Sequence, residues 1–200
     1  MPRTENIQHS ILIVSGAEKF DALIRRILRP GTFMSVEFRK SAAAARRCLL
    51  ERYFDIVVVN APLPDEYGTE FTKDIAGRLT DASVFIIVPS ESYGDVLEQV
   101  TDYGIMVAAK PLPEIQVRYA IRFLCAQQDK IRRLKMKIRS MEEKTEEIRI
   151  VSKAKCLLVA RNHMSEDEAH RYIGRQAMNQ GISRRRAAEQ ITEMLEDLPR

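Results

Sequence analysis

The chain has no tryptophan, few aromatic side chains of any kind, and no apolar run approaching the roughly 18 residues that a membrane span requires. Its start lacks a charged segment followed by an apolar stretch, so neither a span nor a secretory leader is expected. Cysteine is scarce. Cys48, Cys125 and Cys156 are odd in number and lack metal-ligand spacing, and His9, His163 and His170 do not cluster with them. That usage fits buried thiols in a reducing cytoplasm, with no metal site and no cofactor expected. Paired carboxylates, a nucleophile beside a base and a glycine-rich phosphate loop are missing as well, so the sequence offers no constellation for an enzyme.

What remains is charge and periodicity. Charged residues make up 30% of the 200 residues and hydrophobic ones 45%, enough for one large domain or two small ones. The net charge of +4 is unevenly placed. Residues 1–115 hold 13 Lys and Arg against 16 Asp and Glu, a net of −3; residues 116–200 hold 19 against 12, a net of +7. A basic C-terminal half favours a polyanionic partner, although a solvated helical surface accounts for the same excess.

In the N-terminal half, short apolar runs alternate with helical spacing. Residues 10–14 read as a strand, 17–29 as a helix with Phe20, Leu23, Ile24, Ile27 and Leu28 on one face, and Pro30-Gly31 as a break. A strand over 33–38, a helix from Ala42 to Tyr53 and a β-branched strand from Asp55 to Asn60 follow. Then come a helix over Thr69–Arg78, a strand over Val84–Val88, a helix over Gly94–Tyr103, a strand over Ile105–Ala109 and a helix from Glu114. The alternation predicts an α/β fold: a flavodoxin-like, doubly wound parallel sheet of five strands, with its crevice at the strands' carboxyl ends.

The run Ile56 to Gly68, with Pro64 and Gly68 in place, resembles the phosphoacceptor strand and loop of response-regulator receiver domains, and Lys110-Pro111 resembles that family's lysine-proline after the fifth strand. The resemblance covers residues 8–122. It implies a carboxylate nucleophile where this chain has Asn60, and an acidic pair for Mg²⁺ where it has Ser15 and Gly16. The switch hydroxyl is replaced by Val88 or Pro89, with Ser90 beside it. An amide forms no acyl phosphate. The expectation is a pseudo-receiver that retains only Lys110, paired with Asn60 or a backbone carbonyl, and takes its signal from a regulatory protein or a small-molecule ligand.

No proline or glycine interrupts Gln116 to Ile173. Taking Val117 as a, the heptad seam runs Val117, Ala120, Leu124, Gln127, Ile131, Leu134, Ile138, Met141, Thr145 and Ile148. This predicts a coiled-coil helix over 123–150 that joins two copies in parallel through Leu124, Ile131, Leu134, Ile138, Met141 and Ile148. A helix packed on its own receiver-like domain accounts for the same spacing.

The last segment, 151–198, reads as three short helices. Ser165 with Glu168 forms a capping box, Gly181 a C-terminal cap and Ser183 a further N-cap. Ala187, Ile191, Met194 and Leu195 mark the inner face of the third helix. Ala154-Lys155-Cys156-Leu157-Leu158-Val159, Ser165-Glu166-Asp167-Glu168-Ala169 and Ala177-Met178 resemble the ordered motifs of the ANTAR domain, the RNA-binding module of transcription antitermination regulators. Cys156 stands for that family's glycine and Val159 for its methionine. The resemblance implies binding to paired hairpins in an mRNA leader, which prevents the terminator from forming. The residues expected to carry it are Lys155, His170, Arg171, Arg175, Arg184 and Arg185, with Ala177 and Met178 shaping a close-contact surface. Met178 fits a core position and Lys155 a heptad d position equally well. The competing reading is an adaptor that sequesters a sensor or regulator.

Overall fold

A computed structural model describes residues 9–28, 31–78 and 81–196. The expected break at Pro30, Arg29 at the end of the first expected helix, and the outer limits of the expected domains at Gln8 and Leu198 lie outside the described residues. The chain divides into two compact units, Met1–Arg133 and Leu134–Arg200.

The first unit alternates β1 (Ser10–Ser15), α1 (Glu18–Ile27), β2 (Ser35–Arg39), α2 (Ala42–Glu51), β3 (Ile56–Asn60), α3 (Thr69–Arg78), β4 (Ser83–Pro89), α4 (Tyr93–Val100), β5 (Met106–Lys110) and the first part of α5 (Glu114–Asn162). The five strands are parallel in the order β2-β1-β3-β4-β5. Successive side chains of a strand point to opposite faces. Leu12, Val14, Val57, Val59, Val84, Ile86 and Val88 therefore pack with the α2, α3 and α4 residues Cys48, Phe71, Ile75 and Val96. Ile11, Ile13, Ile56, Val58, Phe85 and Ile87 meet Ile24 and Leu28 around α1, and Val117, Ile121 and Leu124 of α5. With both faces covered, the strands read as continuous apolar runs rather than as alternation.

That packing corrects one seam assignment. Leu124 is 4% exposed and belongs to the receiver core, so it does not face a second copy. The heptad spacing from Val117 to Leu124 reports an apolar face whose partner is the chain's own sheet.

Polar contacts then fasten α5 to the amino ends of the strands. Gln128 Nε2 donates to the Asp81 carbonyl at 2.6 Å and to Ser83 Oγ at 2.9 Å. Arg132 donates to Asp55 Oδ1 at 2.9 Å, while Asp55 Oδ2 accepts from the backbone N–H and the hydroxyl of Ser10, each at 2.8 Å. His9 Nε2 stands 3.2 Å from Asp129 Oδ1. At the other end of the sheet, Asp65 accepts from the Ala42 and Ala43 amides, both at 2.9 Å, and Ser41 Oγ accepts from the Ala44 amide. These caps satisfy the orphan donors of α2. The two backbone N–H bonds hold the Asp65 carboxyl below the usual carboxylate range.

The second unit comprises α5 from Leu134 onward, α6 (Glu166–Gln180) and α7 (Arg184–Glu196). Its core combines alanines with leucine and isoleucine: Ala154 and Leu158 of α5, Ala169, Ile173 and Ala177 of α6, and Ala187, Ala188, Ile191 and Leu195 of α7. Ser165 and Glu168 form the capping box, and Gly181 takes the left-handed conformation (φ 64°) that ends α6. Met194, expected on the inner face of the third helix, is 54% exposed; Ala188, one turn from Ile191, is buried instead. Among the described residues no helix is long and apolar enough to cross a membrane.

Replacing Asp55 with alanine leaves the buried Ser10 amide without its side-chain acceptor. Urea unfolding of Asp55→Ala is expected to show a loss of about 2–3 kcal/mol.

Candidate nucleic-acid interface

The receiver crevice lies where β1, β3 and β5 end. Asn60 and Ser15 are both buried. Asn60 Nδ2 donates to Ser15 Oγ at 3.0 Å, and Ser15 Oγ also accepts from the Ala17 amide at 3.1 Å. Asn60 Oδ1 has no hydrogen-bond partner among the described residues. A Cβ added to Gly16 would stand 2.8 Å from Cγ of Pro64, so the ring of Pro64 occupies the space that an acidic side chain needs. Lys110 donates to the carbonyl of Ala61, the backbone alternative, and burial holds its ammonium below the ordinary lysine range. Ser90 Oγ donates to the Lys110 carbonyl. A hydroxyl, a hydrogen and an amide thus stand where a receiver gathers carboxylates, and they do not fit a hard divalent cation.

The face of α5 turned away from the small core of the second unit carries an apolar stripe. Leu134, Ile138, Met141 and Ile148 are each more than half exposed, whereas Ile131, in the first unit, is partly buried.

The cations lie on the second unit. Arg171, Arg175 and Met178 sit at spacings of four and three on α6, opposite the buried Ala169, Ile173 and Ala177. Met178 is 76% exposed, contrary to the core position its residue type fits. Ala177 is the reverse: it is buried in the helical core and supports the surface from beneath without forming part of it. Arg171 and Arg175 stand in no ion pair among the described residues, and Arg184 and His170 are likewise exposed. Other expected contacts are held internally. Lys155 Nζ lies 2.6 Å from Glu166 Oε1, a bond that keeps the Glu166 carboxyl below its usual range, with the charge of His170 adding to the effect. Arg185 pairs with Glu189 at 2.9 Å, and Arg186 with the same carboxylate at 3.3 Å.

Sequence reasoning missed Glu166 and Glu189 as partners of these cations. The second was legible from the four-residue spacing Arg185–Glu189; the first joins two helices and leaves no local signal.

An aspartate at position 16 must displace Pro64. Gly16→Asp is expected to cost about 1–3 kcal/mol, seen as a lowered thermal midpoint.

Comparison with known proteins finds likenesses in both units. Residues 139–191 match the family model of the ANTAR domain. The transcriptional regulatory protein PdtaR of Mycobacterium tuberculosis is 26% identical over 142 residues, covering 70% of this chain and 68% of that protein. The signal receiver domain of an HD domain-containing protein from Pseudomonas fluorescens aligns with a TM-score of 0.57 at 19% identity, over 66% of this chain and 98% of that one. A CheY-like response regulator receiver domain protein from Methanospirillum hungatei aligns with a TM-score of 0.56 at 18% identity, over 62% and 98%. The chain joins an N-terminal receiver fold to a C-terminal ANTAR domain.

Proposed function

We propose that this protein is a transcription antiterminator that binds paired hairpins in an mRNA leader and keeps the terminator hairpin from forming. The observation that carries this reading is the solvent face of α6, where Arg171 and Arg175 stand without ion pairs among the described residues beside the exposed Met178. The arginines meet phosphate and an exposed thioether meets an unstacked base. Two copies joined along Leu134, Ile138, Met141 and Ile148 would engage two hairpins at raised effective concentration. Control comes from a regulatory protein or a small molecule at the receiver fold, not from aspartyl phosphorylation, because the amide of Asn60 forms no acyl phosphate and Ser15 and Gly16 offer no carboxylate beside it.

The adaptor reading has one observation in its favour. Ile115, Tyr119 and Phe123 are at least half exposed along α5, and Tyr119 and Phe123, with Met106 and Leu112, border an open groove of about 340 Å³. A protein partner that survives nuclease treatment and binds in place of RNA would favour it.

Gel shifts with a two-hairpin leader from the protein's own operons should give binding that weakens as salt rises. Arg171→Ala and Arg175→Ala are each expected to lower affinity and to reduce the slope of log K against log salt by about 1. A salt-independent affinity, or none for any two-hairpin leader, would sink the reading. Incubation with acetyl phosphate and Mg²⁺ is expected to leave the intact mass unchanged; a gain of one phosphoryl group would contradict the control mechanism.

A further inference from the structure

On the face of the sheet opposite α5, helices α2 and α3 leave an open groove of about 320 Å³ between them. Leu49 and Leu50 line it from α2, and Phe71 and Ile75 line it from α3. Spacings of three and four on each helix bring these side chains to one face. Phe71 and Ile75 belong to the core beneath, whereas Leu50 is 86% exposed, a large apolar side chain standing in water beside a formed hollow. A hollow of this size falls within the range of about 300–1,000 Å³ typical of small-molecule sites. Four apolar side chains are too few for a stable protein contact, which buries about 800 Å² of each partner.

The charges at the groove are not equivalent. Arg46 is committed: it lies over the Phe71 ring, 5.0 Å from its centroid, and donates to Glu66 at 2.7 Å and to Asp74 at 3.3 Å. The Asp74 carboxylate is thereby compensated. Arg78, at the end of α3, is exposed and stands in no ion pair among the described residues. The carbonyl end of a helix carries about half a negative charge, which the full charge of a guanidinium outweighs. The groove is thus apolar along its walls and cationic at Arg78.

We propose that this groove binds a small apolar monocarboxylate, its hydrocarbon body between Leu49, Leu50, Phe71 and Ile75 and its carboxylate on the guanidinium of Arg78. The planar fork of an arginine matches a carboxylate with two parallel hydrogen bonds. An amine of the same shape sets its charge against Arg78, and a neutral alcohol lacks the charge-assisted bond. A compact anion without an apolar body leaves the walls wet. The proposal names the small molecule that control at the receiver fold calls for, and it rests on that reading only for its regulatory role. Arg46 supplies the route: its partner Glu66 sits in the loop after β3, where the Glu66 carbonyl accepts from the Leu63 amide beside Pro64.

Titration calorimetry of the full-length protein tests the site, with sodium octanoate as the probe and octanol and octylamine as controls. Octanoate is expected to fill one saturable site, with a Kd about tenfold or more below that of either control. Arg78→Gln should raise the octanoate Kd to that of octanol while leaving octanol binding unchanged. Leu50→Glu sets a carboxylate at an exposed position and should abolish octanoate binding. Both positions are exposed, so the thermal midpoints of the two unliganded variants should match that of the parent. No saturable octanoate site, octylamine bound as tightly as octanoate, or an octanoate Kd unchanged in both variants would overturn the assignment and leave the RNA reading standing. Octanoate binding at the groove with no shift in hairpin affinity would uphold the site and overturn its part in control.

Discussion

A parallel sheet needs both faces dry, and in this receiver fold α5 supplies much of the cover on one of them. Val117, Ile121 and Leu124 close the layer that α1 begins, and the remaining architecture follows from that obligation. The apolar face of α5 is committed to the sheet as far as Leu124. Gln128 and Arg132 then convert the contact from apolar to polar at the strands' amino ends. Beyond Arg133 the helix belongs to the second unit. There its faces divide: Ala154 and Leu158 meet α6 and α7, while Leu134, Ile138, Met141 and Ile148 stay in solvent.

Much of this was legible in the sequence because it is written as period. The β-branched run Ile56–Val59 could be little else than a buried strand, and Ser165 with Glu168 announces the start of α6 before any fold is known. The absence of carboxylates at Asn60, Ser15 and Gly16 was equally plain, since it is a matter of residue type. What periodicity does not carry is the identity of the partner. Leu124 and Leu134 fall on the same heptad seam, yet one is enclosed by its own sheet and the other is exposed. Ala177 and Met178 are neighbours in a motif, and a rotation of about 100° between them decides which is core and which is surface. Contacts between distant segments were invisible for a similar reason. Asp55 with Arg132, Lys155 with Glu166 and Pro64 with Gly16 each join elements whose proximity exists only after folding.

The second unit shows how a small core can still present a defined surface. Its interior sets five alanines among Leu158, Ile173, Ile191 and Leu195. The capping box and the left-handed Gly181 fix where α6 begins and ends, and so which side chains face outward. Some of those outward cations are neutralised within the molecule, at Glu166 and Glu189, and others are not. The surface is therefore graded: Arg171 and Arg175 stand in no ion pair among the described residues, whereas Lys155 and Arg185 are each held by a carboxylate.

The ring of Pro64 over Gly16 has a further meaning. Position 16 admits no side chain unless that ring moves, whereas Asn60 differs from aspartate by one group of the same size, already placed at the end of β3. The two departures from the acidic pattern are therefore unequal: one is a matter of side-chain chemistry alone, and the other is held by the course of the loop after β3.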